Sequence, residues 1–193
     1  YLSGFLTLAG WSPLDSAHLV EVPISLPESL PAWAERPRSE EGLRIFAGGI
    51  AWSWHRSGEW LKTLADLVSE EGRGTVEVRM GPHPLLRSKS SETEDLPSDL
   101  RSHPHLRFSD LTDFDTLIED LSRMDLAIEW SPAHFEREIA SPFRIVNYLW
   151  SGLPVIVRPH LELASWIERY DAGWVVEYWE EVRAILKSVG NTP

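Results

Sequence analysis

The sequence predicts an α/β domain of the doubly wound class, a Rossmann-like parallel β-sheet with helices on both faces. After residue 42, short apolar strands alternate with amphipathic helices of about 10–15 residues, as in consecutive right-handed βαβ units. Residues 153–157 are nearly all apolar and β-branched, which is typical of a strand buried on both faces. The first turn, residues 48–52, lacks the G-x-G-x-x-G pattern, so the class is not the dinucleotide-binding one.

The first half of the predicted domain has three strands. A helix separates the first two strands, and a long loop separates the second from the third. Residues 43–49 form a short apolar strand, and residues 75–81 alternate between apolar and polar as a second strand. The intervening residues 57–70 are predicted as a helix because their apolar residues recur at helical spacing. The polar residues 84–105 predict a loop with one short helix. A third strand over residues 105–110 and a helix over residues 114–123 follow.

The second half contains the remaining three strands. Residues 124–130 are predicted as the fourth strand and residues 131–140 as irregular. A helix then begins at Ser141-Pro142 and is stopped by Gly152, and Pro154 prevents its continuation. The last predicted elements are the buried strand 153–157, a helix over residues 161–170, a strand over residues 172–177 and a helix over residues 180–189. We therefore expect six parallel strands, with residues 153–157 in the interior of the sheet.

Residues 1–41 do not follow this alternation. A helical segment (1–8), a strand (19–24) and a stretch rich in Pro and Glu (26–41) indicate the tail of a preceding domain and a linker. The Rossmann-like domain is accordingly predicted over residues 42–193. Because the chain opens on Tyr1 inside an amphipathic segment, we expect it to be part of a longer protein.

Composition restricts the classes of partner. The 193 residues are enough for one domain with a sizeable core. A net charge of −12 argues against nucleic acid or an anionic lipid surface as the main partner, because both bind basic protein faces. The chain has no cysteine, which excludes a disulfide framework and a thiolate metal site. No run approaches the ~18 apolar residues of a membrane span, so no transmembrane segment is predicted.

Two turns at the carboxyl ends of predicted strands have the chemistry to bind a phosphate group. Ligands of open parallel sheets bind beyond these strand ends. Gly48 and Gly49 allow a pyrophosphate to approach the backbone, and the helix start at Ser141 offers unpaired N–H groups. Arg144, one turn into that helix, can add a charge-assisted contact to a phosphate oxygen. The alternative for Arg144 is a surface salt bridge.

Several segments resemble one known family. Residues 148–156, Tyr-Leu-Trp-Ser-Gly-Leu-Pro-Val-Ile, are similar to the Tyr-Leu-Ala-Gly-x-Pro-Val-Ile segment of group 1 glycosyltransferases, which have the GT-B fold. Residues 45–54 resemble the Gly-Gly-Ile-Trp-Asp-Trp turn of one branch of these enzymes, and residues 107–110 and 125–128 resemble their third and fourth strands. The resemblance covers nearly the whole chain, and residues 42–193 correspond in it to the C-terminal, donor-binding domain.

The resemblance implies a function and its partners. Enzymes of this family transfer a sugar from a nucleoside diphosphate sugar to an acceptor hydroxyl, with the diphosphate sugar as donor substrate and without a metal or other cofactor. It also implies an N-terminal domain of the same protein. The enzyme is expected to be cytoplasmic, and any peripheral contact with a membrane would be made by that N-terminal domain. The isolated 193 residues are expected to bind a donor and to transfer no sugar. The acceptor and the identity of the donor stay open.

The resemblance also extends to individual residues. Glu136 or Glu138 corresponds to the family's carboxylate that faces the donor sugar; Glu136 aligns better and is the one candidate catalytic residue. Asn147 occupies the position of the carboxylate that holds the ribose, where an amide makes an uncharged and weaker hydrogen bond. Phe143, in the first turn of the same helix, belongs to the same predicted site.

The basic residues depart from the family pattern. His55 and Arg56 follow the first strand, where many relatives have an Arg and a Lys that neutralise the diphosphate; a helix-surface role is the alternative for both. His103, His105 and His134 do not have the spacing of metal ligands, and no metal site is predicted.

Two other functions fit the same fold. A degenerate, non-catalytic module that binds a nucleotide or a protein is favoured by Asn147 and by the few basic residues near the first turn. A nucleotide-sugar epimerase would use the same architecture, with a histidine or carboxylate contributed to the cleft by the missing half.

Overall fold

Six parallel strands form one sheet in the computed structural model, which describes Ser29 and residues 42–52, 55–72, 74–81, 96–139 and 142–191. The strands are β1 (Arg44–Ile50), β2 (Thr75–Gly81), β3 (Leu106–Phe108), β4 (Leu126–Glu129), β5 (Val155–Val157) and β6 (Gly173–Val175). They lie in the order β3-β2-β1-β4-β5-β6, and every neighbouring pair is parallel. The predicted fold class is confirmed, and β5 lies between two other strands as expected.

Seven helices connect and flank these strands within the described residues. They are α1 (Ser57–Glu70), α2 (Ser98–Arg101), α3 (Phe114–Leu121), α4 (Phe135–Ile139), α5 (Phe143–Trp150), α6 (Ala164–Arg169) and α7 (Trp179–Asn191). The prediction that residues 131–140 are irregular is wrong for α4. With five residues, α4 is shorter than two helical turns, so its apolar residues show no recognisable period. The helix predicted from Ser141 begins at Phe143, after an N-cap at Pro142.

Both faces of the sheet are buried, as the apolar strands require. Along β1, Ile45 and Ala47 pack into the cluster under α1 and α7, whereas Phe46 packs into the cluster under α5 and α6. In β5, Ile156 contributes to the first cluster and its two valine neighbours to the second. Burying one such side chain stabilises the fold by about 1.5–3 kcal/mol. This two-sided burial explains why the strand segments are almost continuously apolar.

The strand order changes direction beside β1. The chain builds β1, β2 and β3 on one side of the sheet and then returns to place β4 on the other side of β1. The connections therefore diverge beyond the carboxyl ends of β1 and β4 and leave a crevice between them. The predicted boundary at residue 41 stays a prediction, because its N-terminal side lies outside the described residues. No helix in the described ranges is long and apolar enough to cross a membrane.

Candidate functional site

A cavity of about 380 Å³ opens at this crevice. Its walls come from the carboxyl ends of β1 and β2, the segment before α3, α3 itself, α4 and the first turns of α5. Five residues that the sequence predicted for a binding site line it: Gly48, Gly49, Phe143, Arg144 and Asn147. The structure therefore brings together, at one cavity, two chain segments that are about a hundred positions apart.

Glu129 is a buried carboxylate beneath this cavity. It ends β4 with only 1% of its surface exposed, and three cationic or ionisable side chains surround it. Nη1 of Arg144 lies 3.2 Å from Oε2, Nε2 of His55 lies 3.3 Å from Oε1, and Nη1 of Arg137 lies 3.8 Å from Oε1. Burial alone would raise the pKa of Glu129, but Arg144, His55 and Arg137 outweigh it and lower the pKa to about 2. Glu129 is thus ionised and anchors the guanidinium of Arg144.

His55 links this carboxylate to the start of α1. The imidazole is completely buried, and its Nδ1 lies 2.8 Å from Oγ of Ser57. Because Glu129 is ionised, it accepts a hydrogen bond from Nε2–H of His55. In the neutral imidazole, Nδ1 then accepts from the Ser57 hydroxyl. His55 thus holds Oε1 of Glu129, whereas Arg144 contacts Oε2.

Arg144 passes directly over Gly49. The backbone of Gly49 has φ +124°, in the region that favours glycine. A Cβ at residue 49 would lie 2.6 Å from Cζ and 2.8 Å from Nε of Arg144. Glycine is therefore required at residue 49 both for the backbone conformation and for the close approach of the guanidinium.

Tyr148 supports the other glycine of the turn. Its buried hydroxyl donates to the carbonyl oxygen of Gly48 at 3.4 Å, and burial raises the pKa of this tyrosine above its usual range. The Tyr148 ring packs edge-on against Phe46, with ring centroids 5.6 Å apart. The glycine turn is thus held from below by α5, the helix that also provides Arg144.

The far end of the cavity, toward β2 and β3, is mainly apolar. Leu111, Leu117 and Ile50 form its walls, and Arg79 lies among them. Nη2 of Arg79 forms an ion pair with Asp120, whereas its Nε and Nη1 are buried without a hydrogen-bond partner among the described residues. This end offers apolar surface for a ring together with N–H donors close behind the wall.

The remaining predicted residues lie elsewhere or outside the described part. Glu138 is exposed and does not line the cavity; it is close enough to His160 to affect the pKa of that residue, which burial lowers. The backbone of Glu136 is in α4, but its side chain and the whole of Ser141 lie outside the described residues. Their assignment to the site remains a prediction.

The two basic residues after β1 have different positions. His55 is buried against Glu129, so the surface alternative for this residue is wrong. Arg56 is exposed and forms an ion pair with Glu59 at 2.6 Å. Neither side chain lines the cavity.

The buried cluster of Glu129, His55 and Arg137 was not predicted from the sequence. One signal was present, because Glu129 is the only charged residue in an otherwise apolar strand, and such a charge is buried only with partners. The partners themselves could not be found from spacing, because His55 is 74 residues away from Glu129. Within the described ranges, no group of three or more histidine or acidic side chains is arranged to hold a metal ion.

Comparisons with known proteins agree with the fold. Residues 100–192 match the family model of the Glucosyltransferase 3-like C-terminal domain. No curated protein matches the chain. A mutant of TarM from S. aureus, solved in a complex that contains UDP, aligns with a TM-score of 0.59 at 12% identity, over 93% of this chain and 35% of TarM.

Two further solved structures are similar. The O-GlcNAc transferase of Thermobaculum terrenum aligns with a TM-score of 0.57 at 15% identity, over 86% of this chain and 31% of its own. The C-terminal domain of the group 1 glycosyl transferase LpcC from Francisella tularensis aligns with a TM-score of 0.54 at 13% identity, over 76% of this chain and 74% of its own.

These alignments define what the chain corresponds to. The chain spans 31% of the length of the Thermobaculum terrenum protein and 35% of that of TarM. At 12–15% sequence identity, the likeness shows the fold alone. Residues 100–192 thus match a glycosyltransferase C-terminal-domain family in sequence, and the chain has the fold of a GT-B C-terminal domain.

Proposed function

We propose that the chain is the donor-binding domain of a GT-B glycosyltransferase and that it binds the nucleoside diphosphate of a nucleotide sugar in the 380 Å³ cavity. The single observation that supports this most strongly is the position of Arg144. Its guanidinium lies at the cavity wall, over the Gly49 turn and at the first turn of α5, where a diphosphate would meet a cation, open backbone and a helix N-terminus together.

The phosphate end of the proposed site is preorganised. Glu129 accepts from Arg144 at 3.2 Å and so limits the guanidinium to one orientation. Pro142, the N-cap of α5, has no side-chain hydrogen bond to the first turn of the helix. The positive end of the α5 dipole therefore faces the cavity without a capping carboxylate. Arg137 adds a second guanidinium to the same wall.

The opposite end suits a nucleobase. Leu111 and Leu117 provide apolar surface there, and Phe143, with 67% of its surface exposed, also lines the cavity. The volume lies within the range of about 300–1,000 Å³ that ligand pockets have. A nucleoside diphosphate would place its base against the leucines and its phosphates at Arg144.

The proposed chemistry is electrostatic. When the bond between the sugar and the diphosphate breaks, negative charge grows on the leaving phosphate oxygen. Fixed cations stabilise the transition state more than the ground state because the negative charge is larger there, and they need not reorganise to do so. Arg144 and Arg137 would provide this stabilisation, and the acceptor with any general base would come from a second domain.

Calorimetric titration of the 193-residue chain with UDP, GDP and their sugars tests the proposal. We expect one-to-one binding of at least one nucleoside diphosphate, and no binding of the corresponding nucleoside at the same concentrations. The nucleoside is the matched control, because it lacks only the phosphates that would meet Arg144. Absence of binding by every diphosphate at millimolar concentration would contradict the proposal.

A non-catalytic binding module is the second candidate function. Two points favour it: Asn147 stands where the family that the sequence resembles has a ribose-binding carboxylate, and Arg144 is already engaged by Glu129. Such a module would bind the diphosphate equally well with and without its sugar. A donor-binding domain should bind the intact nucleotide sugar differently, so a comparison of UDP with UDP-sugars in the same titration separates the two.

A further inference from the structure

A second and smaller cavity, of about 190 Å³, lies at the carboxyl ends of β4 and β5 beside the start of α1. We propose that this cavity binds a single neutral sugar ring. It would do so independently of the larger cavity of about 380 Å³ described above, which we call the nucleotide cavity. No described residue lines both cavities. Its walls include three tryptophans and two arginines: Trp60, Trp130, Trp179, Arg56 and Arg158.

The walls include planar side chains against which a sugar ring can pack. Trp130 and Trp179 stack with centroids 4.1 Å apart and an interplanar angle of 29°. The guanidinium of Arg158 lies over the Trp130 ring, 5.4 Å from its centroid. One face of a pyranose consists of C–H groups, and it can be buried on an aromatic or guanidinium plane while the hydroxyl groups at its edge form hydrogen bonds.

The charges around the cavity favour a neutral ligand over an anion. Arg158 forms an ion pair with Glu177 at 2.7 Å, and Arg56 forms one with Glu59 at 2.6 Å. Each arginine at this cavity is thus balanced by a carboxylate. Guanidinium N–H groups beside carboxylate oxygens provide donors and acceptors together, which is what a ring of hydroxyl groups requires because each hydroxyl both donates and accepts.

Two structural details also indicate a ligand at this position. Nε1 of Trp60 and Nε of Arg158 are buried N–H groups without a hydrogen-bond partner in the described ranges. Arg56 has φ 50° and ψ 44°, a left-handed conformation that is strained for arginine and that is found preferentially at ligand sites. A strained backbone residue and two donors without a described partner thus occur together around this cavity.

The size of the cavity sets the size of the ligand. Its volume is half that of the nucleotide cavity and below the usual range of about 300 Å³ and more for larger ligands. It therefore has room for one ring and not for a nucleotide.

Titration of the nucleotide-free chain with methyl glucoside, methyl galactoside and N-acetylglucosamine tests this inference. Saturation-transfer NMR detects the bound sugar, and tryptophan fluorescence reports on the three indoles of the wall. We expect saturable binding of at least one sugar with a millimolar Kd. UDP should not displace the bound sugar, since it occupies the other cavity. Binding of acetate or sulfate instead of any sugar would overturn the neutral-ligand assignment.

Two variants localise the site. Trp179→Ala removes one wall, and Thr63→Met fills the cavity from the partly exposed side of α1. Both should weaken sugar binding by at least about tenfold, and Thr63→Met does so without removing any core side chain. Trp166→Ala, at a tryptophan on α6 that is 52% exposed, is the matched control and should bind as the wild type does. Unchanged binding in Thr63→Met, displacement by UDP, or no saturable binding by any sugar would refute the inference.

Discussion

Gly49 and Arg144 contact each other so closely that a methyl group at residue 49 would lie 2.6 Å from Cζ of Arg144. The contact joins the turn after β1 to the first turn of α5, the two segments that the sequence suggested for a phosphate site. It also means that the position of the guanidinium depends on the absence of a side chain at residue 49.

Gly49→Ala should therefore weaken diphosphate binding at least as much as the removal of Arg144 does. The substitution strains a backbone with φ +124° and displaces Arg144, and the strain should cost about 1–3 kcal/mol of stability. Gly72→Ala is the matched control, because Gly72 also has positive φ (+77°) but a Cβ there would meet nothing within 4 Å. Urea unfolding should show a loss of stability in both variants, whereas calorimetry should show weaker binding only in Gly49→Ala. Equal weakening of binding in both would mean that stability, and not Arg144, is responsible.

Arg144→Ala should weaken the binding of a nucleoside diphosphate by about 1.5–3 kcal/mol, the usual contribution of a hydrogen bond to a charged group. Arg144→Lys should recover part of this, because the ammonium keeps the charge but cannot form the same fork with Glu129 and a phosphate. Arg183→Ala, which removes an exposed ion pair with Glu70, is the control and should bind normally. Unimpaired binding in Arg144→Ala would remove Arg144 from the site.

The ionisation of Glu129 should make stability fall in acid. Its pKa is about 2 in the folded protein, against an ordinary value of 4.5. A carboxyl whose pKa is lowered by folding stabilises the protein above its unfolded pKa, and this contribution is lost as the pH falls through the folded pKa. At about 1.4 kcal/mol per pKa unit, the difference is worth about 3 kcal/mol, lost between about pH 5 and pH 2.

Comparison of the wild type with Glu129→Gln measures this contribution. The variant should be less stable at neutral pH, because the buried Arg137 and the partly buried Arg144 lose this carboxylate. The stability gap should narrow as the pH is lowered from about 5 to about 2. Glu119→Gln, at an exposed carboxylate on α3, should follow the wild-type pH profile. A gap between wild type and Glu129→Gln that is constant over this range would contradict the assigned ionisation.

Asn147→Asp should strengthen the binding of ribonucleotides. A carboxylate forms charge-assisted hydrogen bonds to a diol, which are worth roughly 1 kcal/mol more than those of an amide. Inorganic pyrophosphate has no ribose, so its affinity should not increase. Calorimetry with UDP and with pyrophosphate distinguishes the two effects. If the variant bound both ligands more weakly, repulsion of the phosphates by the new charge would be the dominant effect, and Asn147 would not face the ribose.

The fold was predictable because its signals are local. The six strands and the amphipathic α1 begin and end within about two residues of their predicted bounds. The alternation of strands and helices was enough to predict one parallel sheet. The short α4 was not predictable, since five residues do not define a helical period.

The candidate site was predictable only in part. Gly48, Gly49 and Arg144 could be proposed because strand ends, glycines and helix starts are visible in the sequence. The partner of Arg144 could not be, because a buried ion pair depends on which strand end lies under which helix. Glu129 precedes Arg144 by 15 residues, and nothing in that interval indicates that their side chains meet.

The cavity is lined by residues as far apart in the chain as Gly49 and Arg144, and this separation has a practical consequence. The unfolded chain holds these groups far apart, so it offers no assembled cavity, and a ligand of the cavity binds the folded state alone. Such a ligand raises the free energy of unfolding by about 2.7 kcal/mol at a hundredfold excess over its Kd. Melting curves recorded with a panel of nucleotides would therefore rank the candidate donors directly, without an acceptor and without any assay of sugar transfer.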